Sequence, residues 1–452
     1  MVQFLLLLFA LYRWFHKDRV TFYLIIQFII FRCYNWLPES GIRSDDLALV
    51  AVVLTGTISL LKGSVVDRSL ARNIGWLIVL VFSIFCISIS YYKLPLNEVI
   101  SGARHYLFVL CIFDICKMNY NELHLFFKRL FYLNIVACAL FIVYTFTHIP
   151  IYHSGYVDDK LVRVGFLGLK RVYTFPQLTA FACSYSVFLK GYRSLSGKLC
   201  MAIAFACLLC IQSRGMIMNV AVAIALGYLV MNKKSSSKSF GLLFILLAAL
   251  FIKETIFSGE TGQKTLNDFS QIFSGDVFRL GYESEGNATF TYRMTLLVAT
   301  VYRMIEASWV SLLFGFGFFV ELPLKKIADL GLLNLARESW NGYGLFTPDI
   351  SYVNILCNLG FLGLFVYLRF FVLIAKKTYL KIKKEPANKY ALISFIYVLY
   401  LLLVGLDGSS ITYPSSLLIP FLLLHVSNVW SKFINTGKIN TNENCTHRVG
   451  VR

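Results

Sequence analysis

Long apolar runs separated by short basic turns recur along the chain, and this alternation limits its fold more than any other feature. The runs lie near residues 20–37, 46–62, 74–92, 101–116, 130–147, 172–189, 199–212, 215–231, 239–254, 350–374, 390–407 and 413–430. A run of about 20 apolar residues crosses a bilayer as a helix, because in hydrocarbon every backbone polar group must be satisfied within the segment. Of the 452 residues 58% are hydrophobic and 15% charged, whereas a soluble domain carries about 25% charged residues. A soluble globular fold is thereby excluded. The expectation is an all-α, polytopic integral membrane protein with about 12 transmembrane helices. Val2 to Tyr12 adds a short or partial first helix; it is followed, not preceded, by Arg13, Lys17 and Arg19, the wrong order for a cleaved signal peptide.

The 43 Lys+Arg against 24 Asp+Glu leave a net charge of +19, which suits nucleic acid, anionic lipid or an anionic substrate until the charges are located. Alternate connections hold Arg13, Lys17 and Arg19; Lys62, Arg68 and Arg72; Lys117, Lys128 and Arg129; Lys190, Arg193 and Lys198; Lys233, Lys234 and Lys238; and Lys376 to Lys389. By the positive-inside rule these face the cytoplasm. Segments 38–45, 93–100, 148–171, 213–215, 255–349 and 407–412 then face outward. The chain divides into an N-terminal membrane domain (residues 1–254), a long external loop (255–349), a C-terminal membrane domain (350–430) and a cytoplasmic tail (431–452). The long loop is too mixed to span and of a length usually tied to function. Within it, Tyr292 to Ile305 has the spacing of an amphipathic helix.

Eleven cysteines are present, but Cys33, Cys86, Cys111, Cys138, Cys183, Cys200, Cys207 and Cys357 sit in apolar runs and read as small packing residues. Cys207 and Cys210 form a C-x-x-C without a second pair or histidines at zinc spacing. No metal site and no cofactor are expected. Gly315-Phe316-Gly317 lacks the strand and helix of a dinucleotide loop and reads as a tight turn.

The outward segments are arginine-rich, with Arg163, Arg171, Arg214, Arg279, Arg293, Arg303 and Arg337. A planar, permanently charged guanidinium suits bidentate binding of phosphate or carboxylate. Solvation or contact with lipid headgroups is the plainer account of Arg163, Arg279 and Arg303. Arg214 differs, because Gln212-Ser213-Arg214-Gly215 is a very short break between apolar runs, and a charge at that depth costs a few kcal/mol unless paired. Arg171 directly precedes an apolar run, and Arg293 begins the amphipathic stretch. Among acids, Asp349 follows Pro348 at the start of the 350–374 run, where helix capping, worth about 1 kcal/mol, and a catalytic role both fit. Asp407 ends an apolar run, and Glu338 lies near Trp340 and Tyr343.

Several pieces in order resemble the bacterial O-antigen polymerase (Wzy) and O-antigen ligase superfamily. They are Arg171 followed by Phe175-Pro176-Gln177; Gln212-Ser213-Arg214-Gly215; Tyr292-Arg293 leading to Leu313-Phe314-Gly315-Phe316-Gly317; and Ser351-Tyr352-Val353-Asn354 continuing to Gly363. The resemblance implies a membrane glycosyltransferase acting on undecaprenyl-diphosphate-linked oligosaccharide at the periplasmic face of the bacterial inner membrane. It implies substrate binding by Arg163, Arg171, Tyr173, Arg214, Arg293 and Asp407, and catalytic roles for Asp349, Glu338, Arg214 and Arg293. Ligases of the superfamily carry His-Asn before the last motif, where this chain has Asp349-Ile350. That departure favours polymerase over ligase; a lipid-linked oligosaccharide flippase is the alternative from another class. Membrane lipids are expected partners, a chain-length regulator protein is a candidate partner, and nucleic acid is not needed.

Overall fold

The computed structural model describes residues 2–30, 44–63, 66–147, 176–190, 194–211, 213–231, 297–298, 300–302, 304–318, 350–406, 411 and 414–435. Among these the regular structure is helical, without strands. The helices are α1 (Val2–Phe15), α2 (Arg19–Ile30), α3 (Ser44–Leu61), α4 (Arg68–Ser90), α5 (Leu96–Ala103), α6 (Cys111–Ile115), α7 (Tyr120–Thr147), α8 (Thr179–Tyr185), α9 (Leu195–Cys210), α10 (Arg214–Met231), α11 (Trp309–Phe314), α12 (Ser351–Lys384), α13 (Lys389–Val404) and α14 (Pro414–Asn435). Three of them, α4, α7 and α12, are long and apolar enough to cross a membrane, and eight shorter apolar helices accompany them among the described residues. Residues 297–298, 300–302 and 304–307 are helical and fall within or next to the amphipathic stretch. The apolar run 239–254 lies outside the described residues.

Helix α4 illustrates how the apolar faces are disposed. Leu77, Leu80, Val81 and Ile84 are buried against the bundle, whereas Trp76, Val79 and Phe82 are more than half exposed. An apolar stripe of this kind is a liability in water and is suited to lipid. Cys86 is exposed as well, so it does not pack inside as its run suggested. Cys111, Cys138, Cys183, Cys200, Cys207, Cys210 and Cys357 are buried and free.

The 101–116 run is not one regular helix. It is formed by the end of α5, a tighter 3-10 segment Arg104–Leu110 and α6. The tight segment lies directly on α3, where a Cβ on Gly56 would collide with the Leu110 carbonyl oxygen. Helix α12 is the hub of the C-terminal half and packs on α4, α11 and α13. Its buried Phe370 meets Phe421 of α14 edge to face, with ring centroids 4.4 Å apart.

The turns after α1, α3, α6 and α12 gather at one end of the bundle, here called the basic end. Asp114 of α6 is fully buried there. Its carboxylate accepts from Ser59 Oγ (2.7 Å), Tyr23 Oη (3.1 Å) and Arg19 Nε (3.1 Å), joining α2, α3 and α6. Lys117 Nζ donates to the Ser59 carbonyl at 3.0 Å, and His425 Nε2 donates to that of Met118 at 2.9 Å. Asp67 caps α4 through the amides of Ser69 and Leu70 and pairs with Lys377 Nζ of α12 at 2.5 Å. The lysine, followed by Ser69 and the cap amide of Leu70, holds the Asp67 carboxyl down to about 2 despite some burial.

These two acids should respond differently to substitution. Asp114→Ala leaves Arg19 without its buried partner and is expected to cost about 3–5 kcal/mol, read as a large fall in the thermal midpoint of the detergent-solubilised chain. Asp67→Asn keeps the cap and loses only a half-exposed ion pair, so its cost stays under about 1 kcal/mol. Because the folded pKa of Asp67 is depressed, its contribution is complete above about pH 4 and disappears as pH falls through about 2. Equal midpoints for Asp114→Ala and wild type would contradict this account.

Candidate functional site

At the end opposite the basic one, three glycines set the geometry. Gly315 closes α11 with φ 77, Gly317 follows with φ 94, and Gly360 interrupts α12 with φ 65. Left-handed φ values are strained for residues with a Cβ. Two of these glycines also meet backbone to backbone: a Cβ on Gly315 would lie 2.5 Å from the Cys357 carbonyl oxygen, and one on Gly360 would overlap Leu313 and Gly315. The Phe316 amide donates to the Cys357 carbonyl at 2.7 Å, using an acceptor freed by the break in α12. The tight turn expected at Gly315-Phe316-Gly317 is therefore a docked turn, seated in the kink of α12.

Helix α4 holds this turn from the other side. Tyr92 Oη donates to the Gly315 carbonyl at 2.8 Å and lies 2.9 Å from Ser311 Oγ. Ser88 Oγ accepts from the Phe318 amide at 2.9 Å and donates to the Ile84 carbonyl at 2.6 Å. Phe318 is fully buried against Tyr106, whose ring in turn meets Tyr367 edge to face. Tyr106 is hydrogen-bonded to Asn358, and Asn358 Nδ2 donates to Asn354 Oδ1 at 2.7 Å. Tyr367 Oη donates to the Ile411 carbonyl at 2.8 Å.

The neighbouring helix ends complete this side of the bundle. Ser213 Oγ accepts from the Met216 amide at 3.4 Å, so Ser213 caps a helix start with Arg214 as first residue of α10. Pro176 and Leu178 lead into α8, where Asn134 Nδ2 donates to the Leu178 carbonyl at 3.0 Å and Thr179 Oγ1 to that of Pro176 at 2.6 Å. Helix α13 packs on α8, α10 and α12 and so links these starts. The N-cap of α12 is Ile350, with no side-chain capping bond.

Of the residues singled out from sequence, Arg163, Arg171, Tyr173, Arg293, Glu338, Asp349 and Asp407 lie outside the described residues, and so does the side chain of Arg214. The structure adds Ser88, Tyr92 and Arg104, none of which the sequence motifs single out. Arg104 pairs with Asp46 near the start of α3; its side chain is 11% exposed, and its Nε and Nη2 are buried without a hydrogen-bond partner. An arginine within an apolar run was the available signal, since such a charge is costly without a partner.

Residues 199–368 match a protein-family model described as O-Antigen ligase. The matched segment takes in Ser213-Arg214-Gly215, the turn at Gly315–Gly317 and the first half of α12 with its kink. No curated protein matches the chain.

The docked turn makes two substitutions informative. Gly360→Ala is expected to cost more than about 2 kcal/mol, from left-handed strain plus overlap with the α11 backbone. Tyr92→Phe removes a part-buried donor at about 0.5–1.5 kcal/mol. Thermal unfolding in detergent measures both, and a Gly360→Ala chain as stable as wild type would contradict the docking.

Proposed function

We propose that the chain, in which residues 199–368 match the O-antigen ligase family model, is a member of the O-antigen polymerase/ligase superfamily and an O-antigen polymerase, a glycosyltransferase joining undecaprenyl-diphosphate-linked repeat units. The observation that carries the reading is the family match, whose matched residues include the Gly315 turn, the α12 kink and the Arg214 helix start. In this reading about twelve spans cross the bacterial inner membrane. The basic end faces the cytoplasm, and residues 255–349 form a periplasmic loop over the opposite end. A chain-length regulator protein is a candidate partner.

The reaction joins a hydroxyl of one lipid-linked repeat unit to the anomeric carbon of a glycan on a second carrier. The new carbon–oxygen bond forms as the anomeric carbon–phosphate oxygen bond breaks, and undecaprenyl diphosphate leaves with the bonding pair. Charge builds on that diphosphate in the transition state, and fixed cations aimed at it lower the barrier. Arg171, Arg214 and Arg293 are assigned to this task, with Arg163, Tyr173 and Asp407 binding substrate. Arg214 opens α10, and a helix N-terminus carries partial positive charge that favours an anion. The attacking hydroxyl's proton goes to a carboxylate. Asp349 is the first choice and Glu338 the second.

The description of the matched family favours a second reading, transfer of the finished glycan to a different acceptor. The superfamily's ligase histidine is replaced here by Asp349, which supports polymerisation. Purified protein given lipid-linked repeat unit alone separates the readings: a polymerase makes ladders, a ligase requires a core acceptor, and a flippase forms no covalent bond. In cells, Arg214→Ala and Arg293→Ala are expected to leave protein abundance near normal while surface glycan stops at a single repeat unit. Ladders of wild-type length from both variants would overturn the assignment.

A further inference from the structure

The basic end holds a feature that glycan transfer does not use. The turn between α1 and α2 and the first turns of α7 border a cavity of about 400 Å3, with Arg13, Lys17, Asp18, Thr21, Glu122 and Arg129 in its lining. Its acids are already engaged. Asp18 accepts from the Thr21 amide at 3.0 Å and from Arg13 Nε at 3.0 Å. Glu122 accepts from the Asn119 amide at 2.7 Å while Asn119 Oδ1 accepts from the Glu122 amide at 3.0 Å, a reciprocal cap on α7. Lys17 and Arg129 remain exposed and take part in none of the ion pairs among the described residues.

Lys17 is held in an unusual backbone state. The α1 terminus closes with the Asp18 amide on the Arg13 carbonyl and the Lys17 amide on that of Trp14, both 2.9 Å, and Lys17 has φ 62. That position is usually glycine, and a side chain there costs about 1 kcal/mol. The strain is tolerated at a place where the side chain adds a cation to the cavity wall.

Leading away from the cations towards the middle of the bundle are apolar walls. On α7, Arg129 continues at helical spacing into Tyr132 and Val136, which are 39% and 52% exposed. On α1, Arg13 continues into Phe9 and Leu5, 48% and 54% exposed. Between them runs α2, packed on both α1 and α7, with Thr21, Leu24 and Phe28 half-buried on one stripe. A cationic pocket at the mouth of an apolar groove has the polarity of a phospholipid. A free phosphate would use the pocket alone, and a zwitterionic headgroup would bring an ammonium towards Lys17 and Arg129.

We propose that this groove binds an anionic phospholipid, its phosphodiester on Lys17 and Arg129 and its acyl chains along α1, α2 and α7. The proposal requires a bilayer around the bundle and is independent of the glycan chemistry.

Native mass spectrometry of the full chain, released from detergent with equimolar phosphatidylglycerol and phosphatidylcholine, tests it. Wild type is expected to retain phosphatidylglycerol preferentially. Each basic residue near a lipid surface is worth about 1 kcal/mol, so Lys17→Gly with Arg129→Gln should reduce the preference about twenty- to thirty-fold. Lys17→Gly also suits the left-handed turn, so the double variant should unfold no earlier than wild type. Lys389→Gln, an exposed change elsewhere on the same end, should keep the preference. Equal retention of the two lipids by wild type, or an undiminished preference in the double variant, would overturn the proposal. So would full displacement of phosphatidylglycerol by inorganic phosphate, which would make the pocket a free-anion site.

Discussion

The contact between the Leu313–Gly315 backbone and Gly360 is the constraint on which the end opposite the basic one depends. It is a main-chain contact, so no larger side chain can replace either glycine without pushing α11 off α12. Once the turn is seated, its carbonyl at Gly315 and its amide at Phe318 come within reach of Tyr92 and Ser88 on the α4 side. Phe318 then fills the space beside Tyr106, which in turn packs on Tyr367. Helices α4, α11 and α12 and the 3-10 segment thereby form one rigid support. For the proposed transfer between lipid-linked substrates, rate depends on orientation, and a loose support would forfeit it. The order of causes runs from two glycines, through a docked turn, to one braced frame.

The basic end is built on different physics. Asp114 is buried among Arg19, Tyr23 and Ser59, so its charge is matched by three donors rather than by solvent. Asp67 and Lys377 tie the α3–α4 turn to α12 nearer the surface, where water weakens the pair. One end is held by tight backbone packing and the other by buried ionic and hydrogen-bonded groups. Both load α12, which carries the kink near its start and the lysines at its finish.

The helical class was legible because the hydrocarbon interior allows a spanning chain so few backbone conformations. The positions of α3, α4, α7, α10, α13 and α14 follow the apolar runs, with ends that differ by several residues. The break in α12 was not legible, since a glycine within an apolar run reads the same whether helical or left-handed; only Gly315, far away in sequence, decides. The run at 101–116 reads as a single span because apolar residues predominate in it despite Arg104 and Asp114, whereas the tighter segment goes with the close approach of α3 at Gly56. At the site, Ser213-Arg214-Gly215 stood out as an interruption of two apolar runs. Ser88 and Tyr92 gave no such signal, because their partners lie 219 to 230 residues away. Asp114 could have been noticed as an acid inside an apolar run, but topology alone already accounted for its basic neighbours.

The net charge of +19 thus divides by chemistry as well as by place. At the basic end lysines predominate at exposed positions, where a flexible ammonium can stay hydrated or meet a lipid phosphate. At the opposite end, among the described residues, the cation set into the bundle is an arginine. Arg104 is almost buried beside Asp46, a position that suits a planar, permanently charged guanidinium. Arg214 stands at the start of α10, where a cation adds to the positive helix terminus and is unfavourable by roughly 0.3–1 kcal/mol. An anion bound beside that terminus reverses the sign, because it interacts favourably with both the guanidinium and the helix. A cation at that terminus is costly without an anion and favourable with one, which is the electrostatic basis of the role proposed for Arg214.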